Sequence, residues 1–341
     1  MKNIVVFGGS GFIGLNFIHN LIINKKFEHI YSVDIQDPLE NYRKKKYEKL
    51  KENKKIIFIQ KDIRESLVNL DIKDVDLIID LAAIHKEPGH NEIEYFQTNV
   101  NGSKNICEFA KNVNCKNIIF TSSISVYGPG DHEKNENTQT IPNTAYGKSK
   151  LEAEKNYINW QNHNEKENIL TICRPGVVFG PGENGNVTRL IKAVQKKLFF
   201  YMGNKYLKKS GIYIDELINA ITWINDNQIN NKFEKIILFN GSFNPCPNLK
   251  DYVSAISKEF GYNNTFISFP KSLIKIIIFF SSIITKNISP KSNYNYVRLN
   301  KLFRSNFVTP QFLINSKYKF KYTLNNSMKN WKETNFKDWE N

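Results

Sequence analysis

Three polar side chains near the middle of the chain have the types and spacing that acid–base chemistry requires. The segment AYGKSK places Tyr146 and Lys150 four residues apart, so on a helix the two side chains share one face. An ammonium group beside a phenol stabilises the phenolate and lowers a pKa that is ordinarily about 10. Ser123, in TSSISVYG, stands 23 residues before Tyr146 and would hydrogen-bond the same substrate oxygen. We predict that Tyr146 is a general base for an alcohol proton, assisted by Lys150 and Ser123.

The tyrosine–lysine spacing by itself is common in this lysine-rich chain. It also occurs at Tyr42/Lys46, Tyr47/Lys51 and Tyr201/Lys205. Only Tyr146/Lys150 lies downstream of a serine pair at the end of a predicted strand. We interpret the other three as solvated surface pairs.

The N-terminal stretch IVVFGGSGFIGLNF joins a strand-like apolar run to an apolar pattern of helical period through a glycine-rich turn. At Gly8, Gly11 and Gly14 the missing side chains allow a tight turn, close packing of helix on strand, and backbone N–H groups against a pyrophosphate. Asp34 ends the second apolar run 20 residues after Gly14, where an acid binds the ribose hydroxyls of NAD and repels the 2′-phosphate of NADP. We predict NAD as the cofactor; a capping role in a loop is the alternative for Asp34.

Short apolar runs alternate along the chain with longer segments that suit helices. The runs cover 3–8, 30–34, 56–60, 76–81, 117–122 and 169–174, and the helical segments include 91–113 and 144–163. This alternation predicts an α/β protein with a doubly wound parallel sheet covered on both faces. Further on, the pattern predicts a loop at 180–186, a helix at 187–197, a strand and helix at 212–224 and a last sheet strand at 235–241.

We expect two domains. A Rossmann domain that binds NAD takes 1–174 and 211–242, and a smaller, mainly C-terminal α/β domain for the substrate takes 175–210 and 243–341. The segment 273–285 is the most apolar of the chain, but a bilayer span needs roughly 20 residues. We interpret it as a buried helix, with a membrane-surface helix flanked by lysines as the alternative.

Composition limits the class of protein without choosing a ligand. The net charge of +15 attracts phosphates, nucleic acids and acidic membranes alike. The four cysteines and six histidines lack ligand spacing, so we predict reduced thiols and no metal site. The chain starts directly in a strand-like run without a secretory pattern, which predicts a cytoplasmic protein.

A series of motifs resembles the extended short-chain dehydrogenases/reductases that act on nucleotide sugars. In order they are GGSGFIG, VD at 33–34, DIR at 62–64, DLAA at 80–83, NVNG at 99–102, TSSISVYG, YGKSK and RPGVVFGPG at 174–182. The resemblance covers about residues 1–225 and weakens towards the C-terminus. It implies a Rossmann fold, NAD, and a nucleotide diphosphate sugar as substrate, with no nucleic-acid partner.

The resemblance also implies roles for single residues. The cofactor-binding set is Gly8, Gly11, Phe12, Ile13, Gly14, Asp34, Asp62, Ile63, Leu81, Ala82, Ala83, Asn99, Tyr146, Lys150 and Pro175. Within it, Asp62 and Ile63 would flank the adenine and Lys150 would also hold the nicotinamide ribose, although Asp62 could instead cap a helix. The substrate-binding set is Ser123, Asn186, Val187, Lys209 and Arg298. Lys209, with Arg298 as a second cation, would bind the diphosphate.

Two departures from the family narrow the expected reaction. The acidic pair that 4,6-dehydratases carry after the serine is Ile124 and Ser125 here, which disfavours dehydration. Val177 replaces an asparagine of UDP-galactose epimerases, which argues against simple galactose/glucose epimerisation. We expect a nucleotide-sugar epimerase acting at C4 through a 4-keto intermediate in cell-surface polysaccharide biosynthesis.

Alternatives remain at the level of the sequence. One is an NDP-sugar 4-dehydrogenase or 4-keto reductase of the same family. Another is a non-catalytic NAD-binding protein whose basic surface binds a polyanion or a membrane. The resemblance further implies a homodimer that assembles through the helices at 91–113 and 144–163.

Overall fold

A seven-stranded parallel sheet forms the centre of the molecule. The computed structural model describes residues 2–24, 27–37, 50, 53–87, 89–263, 266–270, 272 and 303–340. The strands are β1 (Asn3–Phe7), β2 (His29–Asp34), β3 (Ile56–Gln60), β4 (Val75–Asp80), β5 (Asn117–Thr121), β6 (Ile169–Pro175) and, later in the chain, β10 (Ile236–Gly241). Their order across the sheet is β10-β6-β5-β4-β1-β2-β3, and every neighbouring pair is parallel. The predicted doubly wound α/β fold is confirmed.

Helices cover both faces of this sheet. They are α1 (Phe12–Asn24), α3 (Gly102–Asn112), α4 (Ala145–Asn162) and α6 (Ile214–Ile229). The short α2 (Glu92–Tyr95) precedes α3, and α5 (Asn186–Gln195) follows β6. The segment predicted as one helix at 91–113 contains a π-helical stretch, Phe96–Asn101, between α2 and α3. A 3-10 turn, Ile124–Tyr127, follows β5.

The continuous apolar runs of the sequence are strands buried on both faces. In β1, Ile4 and Val6 belong to a core cluster that includes side chains of α1 and α6. Val5 and Phe7 point the opposite way, into a cluster that includes side chains of α3 and α4. Because successive residues of a strand face opposite sides, burial on both sides requires the unbroken apolar pattern that the sequence shows.

The second half of the chain adds two short strand pairs and further helices. The strands β7 (Val177–Phe179) and β9 (Gly211–Tyr213) pair in parallel, as do β8 (Tyr201–Met202) and β11 (Ser268–Phe269). The helices are α7 (Leu249–Glu259), α8 (Gln311–Asn315) and α9 (Leu324–Thr334), followed by a 3-10 turn at Phe336–Trp339. The proposed division into two domains stays a prediction, and 273–285 lies outside the described residues.

One buried carboxylate attaches the C-terminal segment to α6. The side chain of Glu216 accepts hydrogen bonds from the Tyr318 hydroxyl at 2.6 Å and from the backbone N–H groups of Lys321 at 2.8 Å and Tyr322 at 2.6 Å. Glu216 is fully buried, so these three donors replace the water that a carboxylate otherwise needs. None of the described helices is long and apolar enough to cross a membrane.

A buried ion pair joins β6 to α4 beside the predicted catalytic residues. The guanidinium of Arg174 donates from Nε and Nη2 to both carboxylate oxygens of Glu154, at 2.9 and 2.6 Å. Its Nη1 also donates to the Tyr127 hydroxyl at 3.1 Å, and that hydroxyl donates to Asn240 on β10 at 2.8 Å. The side chains of Arg174 and Glu154 are 6% and 2% exposed, so each charge depends on the other.

Removing one partner of this pair should therefore destabilise the fold strongly. We expect Arg174→Met to lower the free energy of unfolding by about 3–5 kcal/mol, because Glu154 is left as an uncompensated buried charge. Lys155→Ala, which breaks the exposed Lys155–Glu152 pair on the same helix, is the matched control and should cost less than about 1 kcal/mol. Urea denaturation of both variants measures the difference, and similar losses in the two would contradict the prediction.

Candidate active site

The glycine-rich turn packs against the end of a neighbouring strand. Gly8 adopts a φ of +77°, and an added Cβ would lie 2.7 Å from the backbone nitrogen of Ala82. At Gly14 an added Cβ would clash with the Gly8 carbonyl oxygen and lie 2.7 Å from the Gly9 Cα. The turn is thus closed by its own backbone and by the DLAA segment after β4, so the structure brings together residues that the sequence assigned to one cofactor site.

The N-terminus of α1 has the properties of an anion-binding site. Phe12 and Ile13 form its first turn, where backbone N–H groups lack partners within the helix, and no acidic residue lies there to neutralise the positive end. An added Cβ at Gly11 would meet only the Gly8 carbonyl oxygen, at 3.1 Å, so the turn leaves room for a ligand to approach the backbone. These features fit a pyrophosphate.

Asp34 lies beside this turn at the end of β2. Its carboxylate accepts hydrogen bonds from the backbone N–H groups of Ser10 at 3.0 Å and Gln36 at 3.1 Å. The Gly8 N–H donates to the Val33 carbonyl at 2.8 Å, which fixes the turn against the same strand. Asp34 therefore holds the glycine turn and lies where the sequence placed it; its contact with a ribose stays a prediction.

The predicted adenine-flanking residues have local partners. Asp62 accepts hydrogen bonds from the backbone N–H of Arg64 at 2.9 Å and from its guanidinium Nε at 2.8 Å, and this partner lowers the Asp62 pKa. Ile63 is 5% exposed and fills the space that a side chain at Gly102 would need. Asp62 thus has a role in a turn and caps no helix, so the alternative interpretation as a helix cap is wrong, and the adenine contact of both residues stays a prediction.

Ser123 and Tyr146 meet where the turn after β5 contacts the start of α4. Ser123 caps the 3-10 turn by accepting the Ser125 N–H at 3.1 Å, and Thr144 caps α4 by accepting the Gly147 N–H at 3.1 Å. An added Cβ at Gly147 would lie 2.6 Å from the Ser125 carbonyl oxygen, so the glycine allows this close approach. The predicted serine–tyrosine pair is therefore assembled by two capped turns.

The acidity of Tyr146 differs from the sequence-based expectation. Burial raises the pKa of Tyr146 to about 12, and the hydrogen bond with Ser123 opposes this rise. Glu87 and Tyr95 raise it further, and Lys150 is not among the groups that act on it. The expected low pKa of Tyr146 is therefore wrong, because the desolvation of the phenolate outweighs the favourable hydrogen bond with Ser123.

Lys150 is itself a buried cation next to an aromatic ring. It is 2% exposed, and its Nζ lies 4.3 Å from the centroid of the Phe120 ring. Burial lowers the pKa of Lys150 to about 8, while Asp80 and Glu154 oppose this lowering. At neutral pH the ammonium is therefore charged, inside the site.

Asn99 and Pro175 complete the predicted cofactor surroundings. Asn99 lies in the π-helical stretch, accepts the Ile84 N–H at 3.0 Å and donates to the Ser149 hydroxyl at 2.9 Å. It thus connects the segment after β4 to α4, which agrees with its expected supporting role. Pro175 ends β6 beside Gly241 of β10. Leu81 and Ala83 follow β4 and are half-buried. Their contacts with the cofactor stay predictions.

The predicted substrate residues are less closely assembled. Asn186 is exposed and Val187 is buried in the first turn of α5, whose N-terminal amides are capped by Glu183; its carboxylate accepts the Thr188 N–H at 3.0 Å. Lys209 donates from Nζ to the Arg304 carbonyl at 2.6 Å, and burial lowers the Lys209 pKa to about 8. Arg298 lies outside the described residues.

Sequence reasoning missed three residues near these groups. Asp80 is a fully desolvated acid in contact with the catalytic helix, and its position at the end of the apolar run VDLIID was the available signal. Glu183 and Arg304 lie in loops, and no motif pointed to their contacts with α5 and Lys209.

The parallel sheet, the glycine turn and the Ser–Tyr–Lys set together define an extended short-chain dehydrogenase/reductase, so the predicted resemblance is confirmed. The chain belongs to the 3-beta hydroxysteroid dehydrogenase/isomerase family, whose model matches residues 5–271.

Individual relatives include enzymes that act on diphosphate-linked sugars. The chain is 26% identical over 307 residues to the N-acetyl-alpha-D-glucosaminyl-diphospho-ditrans,octacis-undecaprenol 4-epimerase of Escherichia coli O157:H7, which covers 88% of this chain and 85% of that protein. It is 27% identical over 230 residues to the UDP-glucose 4-epimerase of Vibrio cholerae, which covers 64% and 65%. The fold matches the UDP-glucuronic acid 4-epimerase of Bacillus cereus in complex with NAD, with a TM-score of 0.76, 20% identity and full coverage of both chains.

The packing of the glycine turn leads to a test on stability. We expect Gly14→Ala to lower the free energy of unfolding by about 1–3 kcal/mol, because the methyl group clashes with the Gly8 carbonyl. Gly11→Ala is the matched control and should cost less, since its 3.1 Å contact needs a shift of only a few tenths of an ångström. Urea denaturation compares the two, and an equal or greater loss in Gly11→Ala would refute this account of the turn.

Proposed function

We propose that the protein is an NAD-dependent 4-epimerase of a sugar linked to a diphosphate, with a nucleotide sugar as substrate. The observation that carries the proposal is the hydrogen bond between Ser123 and Tyr146 at the start of α4, one helical turn before the buried Lys150. The relatives named above support the reaction, since they include 4-epimerases of both nucleotide-linked and lipid-linked sugars.

The cofactor would be held by the glycine turn and the segments that pack around it. The first turn of α1 would bind the pyrophosphate, Asp34 the adenosine ribose, and Lys150 the nicotinamide ribose. NAD, when bound, supplies a hydride acceptor and a positive charge. Asp34 also favours NAD over NADP, because its carboxylate repels a 2′-phosphate.

Tyr146 would move the proton of the sugar hydroxyl. An epimerisation removes this proton and later returns it to the same oxygen, so the residue must act as base and as acid in turn. With a pKa of about 12 Tyr146 is protonated in the protein without cofactor, so it must release that proton to solvent before it can act as a base. The positive charge of bound NAD would favour this release, and the phenolate would then take the hydroxyl proton in the first step and return it in the second. Ser123 stabilises the phenolate by hydrogen bonding and orients the substrate oxygen for the first step.

The diphosphate of the substrate would lie against Lys209 and the first turn of α5. Lys209 is charged below about pH 8 and lies beside the segment that contains Arg304. Asn186 and Val187, in the first turn of α5, are the other candidates that the family resemblance implies, although the Val187 and Thr188 amides of this turn already bind the Glu183 carboxylate. Arg298 remains a candidate for a second contact. The substrate side of the molecule would then be the smaller domain at 175–210 and 243–341.

We further propose a cytoplasmic homodimer that acts in cell-surface polysaccharide biosynthesis. The dimer would pack α4 and the segment 92–112 against the same elements of a second copy. A 4-dehydrogenase or 4-keto reductase of a nucleotide sugar would use the same residues and differs only in whether the ketone leaves. A non-catalytic NAD-binding protein with a polyanion or membrane surface would have no use for the serine–tyrosine pair.

A substrate panel separates these functions. The purified protein is incubated with UDP-, dTDP- and GDP-sugars and with a polyprenyl diphosphate-linked N-acetylhexosamine, while NADH absorbance and sugar identity are followed. We expect interconversion of 4-epimers without accumulation of NADH. Stoichiometric NADH would indicate the dehydrogenase, and no turnover of any sugar would contradict an enzymatic function.

The tyrosine itself gives a sharper prediction. We expect Tyr146→Phe to reduce turnover by about 10²–10⁴-fold, because the proton-transfer group is lost, while NAD affinity stays close to that of the wild type. Tyr95→Phe is the matched control: its ring centroid lies 6.3 Å from that of Tyr146, but its hydroxyl donates to the Lys86 carbonyl. Turnover of Tyr146→Phe within a factor of two of the control would refute the mechanism.

A further inference from the structure

A buried acid lies at the end of β4, next to the catalytic helix. Asp80 is 2% exposed. One carboxylate oxygen accepts the Tyr157 hydroxyl at 2.6 Å, and the other accepts the Ala82 N–H at 3.0 Å. Both contacts hold the carboxylate in a single orientation, and Ala82 is also the residue that packs on the glycine turn.

The groups around Asp80 form one continuous cluster with Lys150. The Phe120 ring lies 4.4 Å from the Tyr157 ring between centroids, and the Lys150 Nζ lies 4.3 Å from the centroid of that same Phe120 ring. Tyr157 thus binds Asp80 through its hydroxyl while its ring packs on the residue that contacts the ammonium. Phe120 is also the residue opposite Asp80 in the sheet, so Asp80 and Lys150 both lie next to this ring.

Two acids, Asp80 and Glu154, favour the charged form of Lys150, but only one of them lacks a cation of its own. Glu154 gives both of its carboxylate oxygens to the Arg174 guanidinium, so its charge is already balanced. Asp80 has only neutral hydrogen-bond donors, Tyr157 and the Ala82 amide. A buried cation and a buried anion each require an opposite charge. Because Glu154 is paired with Arg174, Asp80 is the acid that remains to balance Lys150.

We propose that Asp80 is a positioning residue for Lys150: its carboxylate balances the buried ammonium and draws it towards the end of β4, so that the site keeps a fixed positive charge. The inference deepens the proposed function, since it concerns the lysine that acts in that reaction. The mutual electrostatic effects agree with it: Asp80 opposes the loss of the Lys150 proton, and Lys150 opposes the rise that burial causes in the Asp80 pKa.

The titration of Lys150 depends on all the ionisable groups of the cluster. From β4, α3, α4 and β6 these are Asp80, Cys107, Tyr146, Glu154, Tyr157 and Arg174. Burial raises the pKa of each thiol and phenol in this set, so they stay neutral near pH 7. The Arg174–Glu154 pair is neutral as a unit. Asp80 is therefore the group whose replacement changes the net charge next to Lys150.

Asp80→Asn tests the proposal with little change in shape. An asparagine can still accept the Ala82 N–H and can donate to the Tyr157 oxygen, while the negative charge is removed. In the wild type the charged Lys150 persists below about pH 8, so turnover that needs it should fall as the pH rises through that value. In the variant we expect this alkaline limb to move to lower pH by about 1–3 units, because an opposite charge is lost.

Tyr157→Phe is the matched control, since it removes a hydrogen bond from the same carboxylate and leaves its charge. We expect its alkaline limb to remain within a few tenths of a pH unit of the wild type. An unshifted limb in Asp80→Asn, or an equal shift in both variants, would overturn the proposal.

Unfolding measurements keep the test independent of the proposed reaction. Between about pH 5 and 7 the wild-type Lys150 is protonated both in the folded and in the unfolded state, so it adds little pH dependence to stability. In Asp80→Asn the folded lysine loses its proton within this window, so stability should rise more steeply with pH than in Tyr157→Phe. Equal slopes would overturn the proposal even if no sugar substrate is found, whereas a steeper slope without turnover would reject only the proposed function.

A second pair of variants applies if Asp80→Asn does not fold. Lys150→Met leaves the Asp80 carboxylate buried without its cation, and Lys150→Met/Asp80→Asn removes that carboxylate charge as well. We expect the double variant to unfold at a higher urea concentration than the single one at pH 8. A double variant that is equally or less stable would contradict the proposed charge balance.

Discussion

The site depends on burying charged side chains among apolar ones, where α4 packs on the carboxyl ends of the central strands. Lys150, Asp80, Arg174 and Glu154 all lie on β4, α4 or β6, among aromatic and aliphatic side chains that exclude water. A charge in such surroundings is stable only with an opposite charge or several hydrogen bonds. The packing of α4 on the sheet therefore brings Glu154 to Arg174 and places Lys150 in the same apolar surroundings as Asp80.

Much of this arrangement could be predicted from the sequence because it is local. Unbroken apolar runs predict the strands, and the glycine spacing predicts the turn. The four-residue spacing of Tyr146 and Lys150, downstream of a serine at a strand end, predicts the Ser–Tyr–Lys set. The acidity of Tyr146 could not be predicted, since it depends on how far burial outweighs Ser123. Asp80 and Arg304 have roles that arise only when distant segments meet, and a single sequence shows no such contacts.

The family and its relatives illustrate how one scaffold supports different substrates. The family is described by a steroid dehydrogenase/isomerase activity, while the sugar 4-epimerases named above share the same fold or sequence pattern. A shared fold therefore does not fix the substrate, which has to be argued from the site.

Glu216 has a consequence for where the chain can be cut. The three groups that donate hydrogen bonds to its carboxylate all lie in 318–322, about 100 residues along the chain from α6. A truncation before Tyr318 would keep all seven strands of the central sheet. The buried Glu216 carboxylate would, however, lose these three hydrogen-bond donors. The terminal segment is thus an integral part of the folding unit rather than a removable tail.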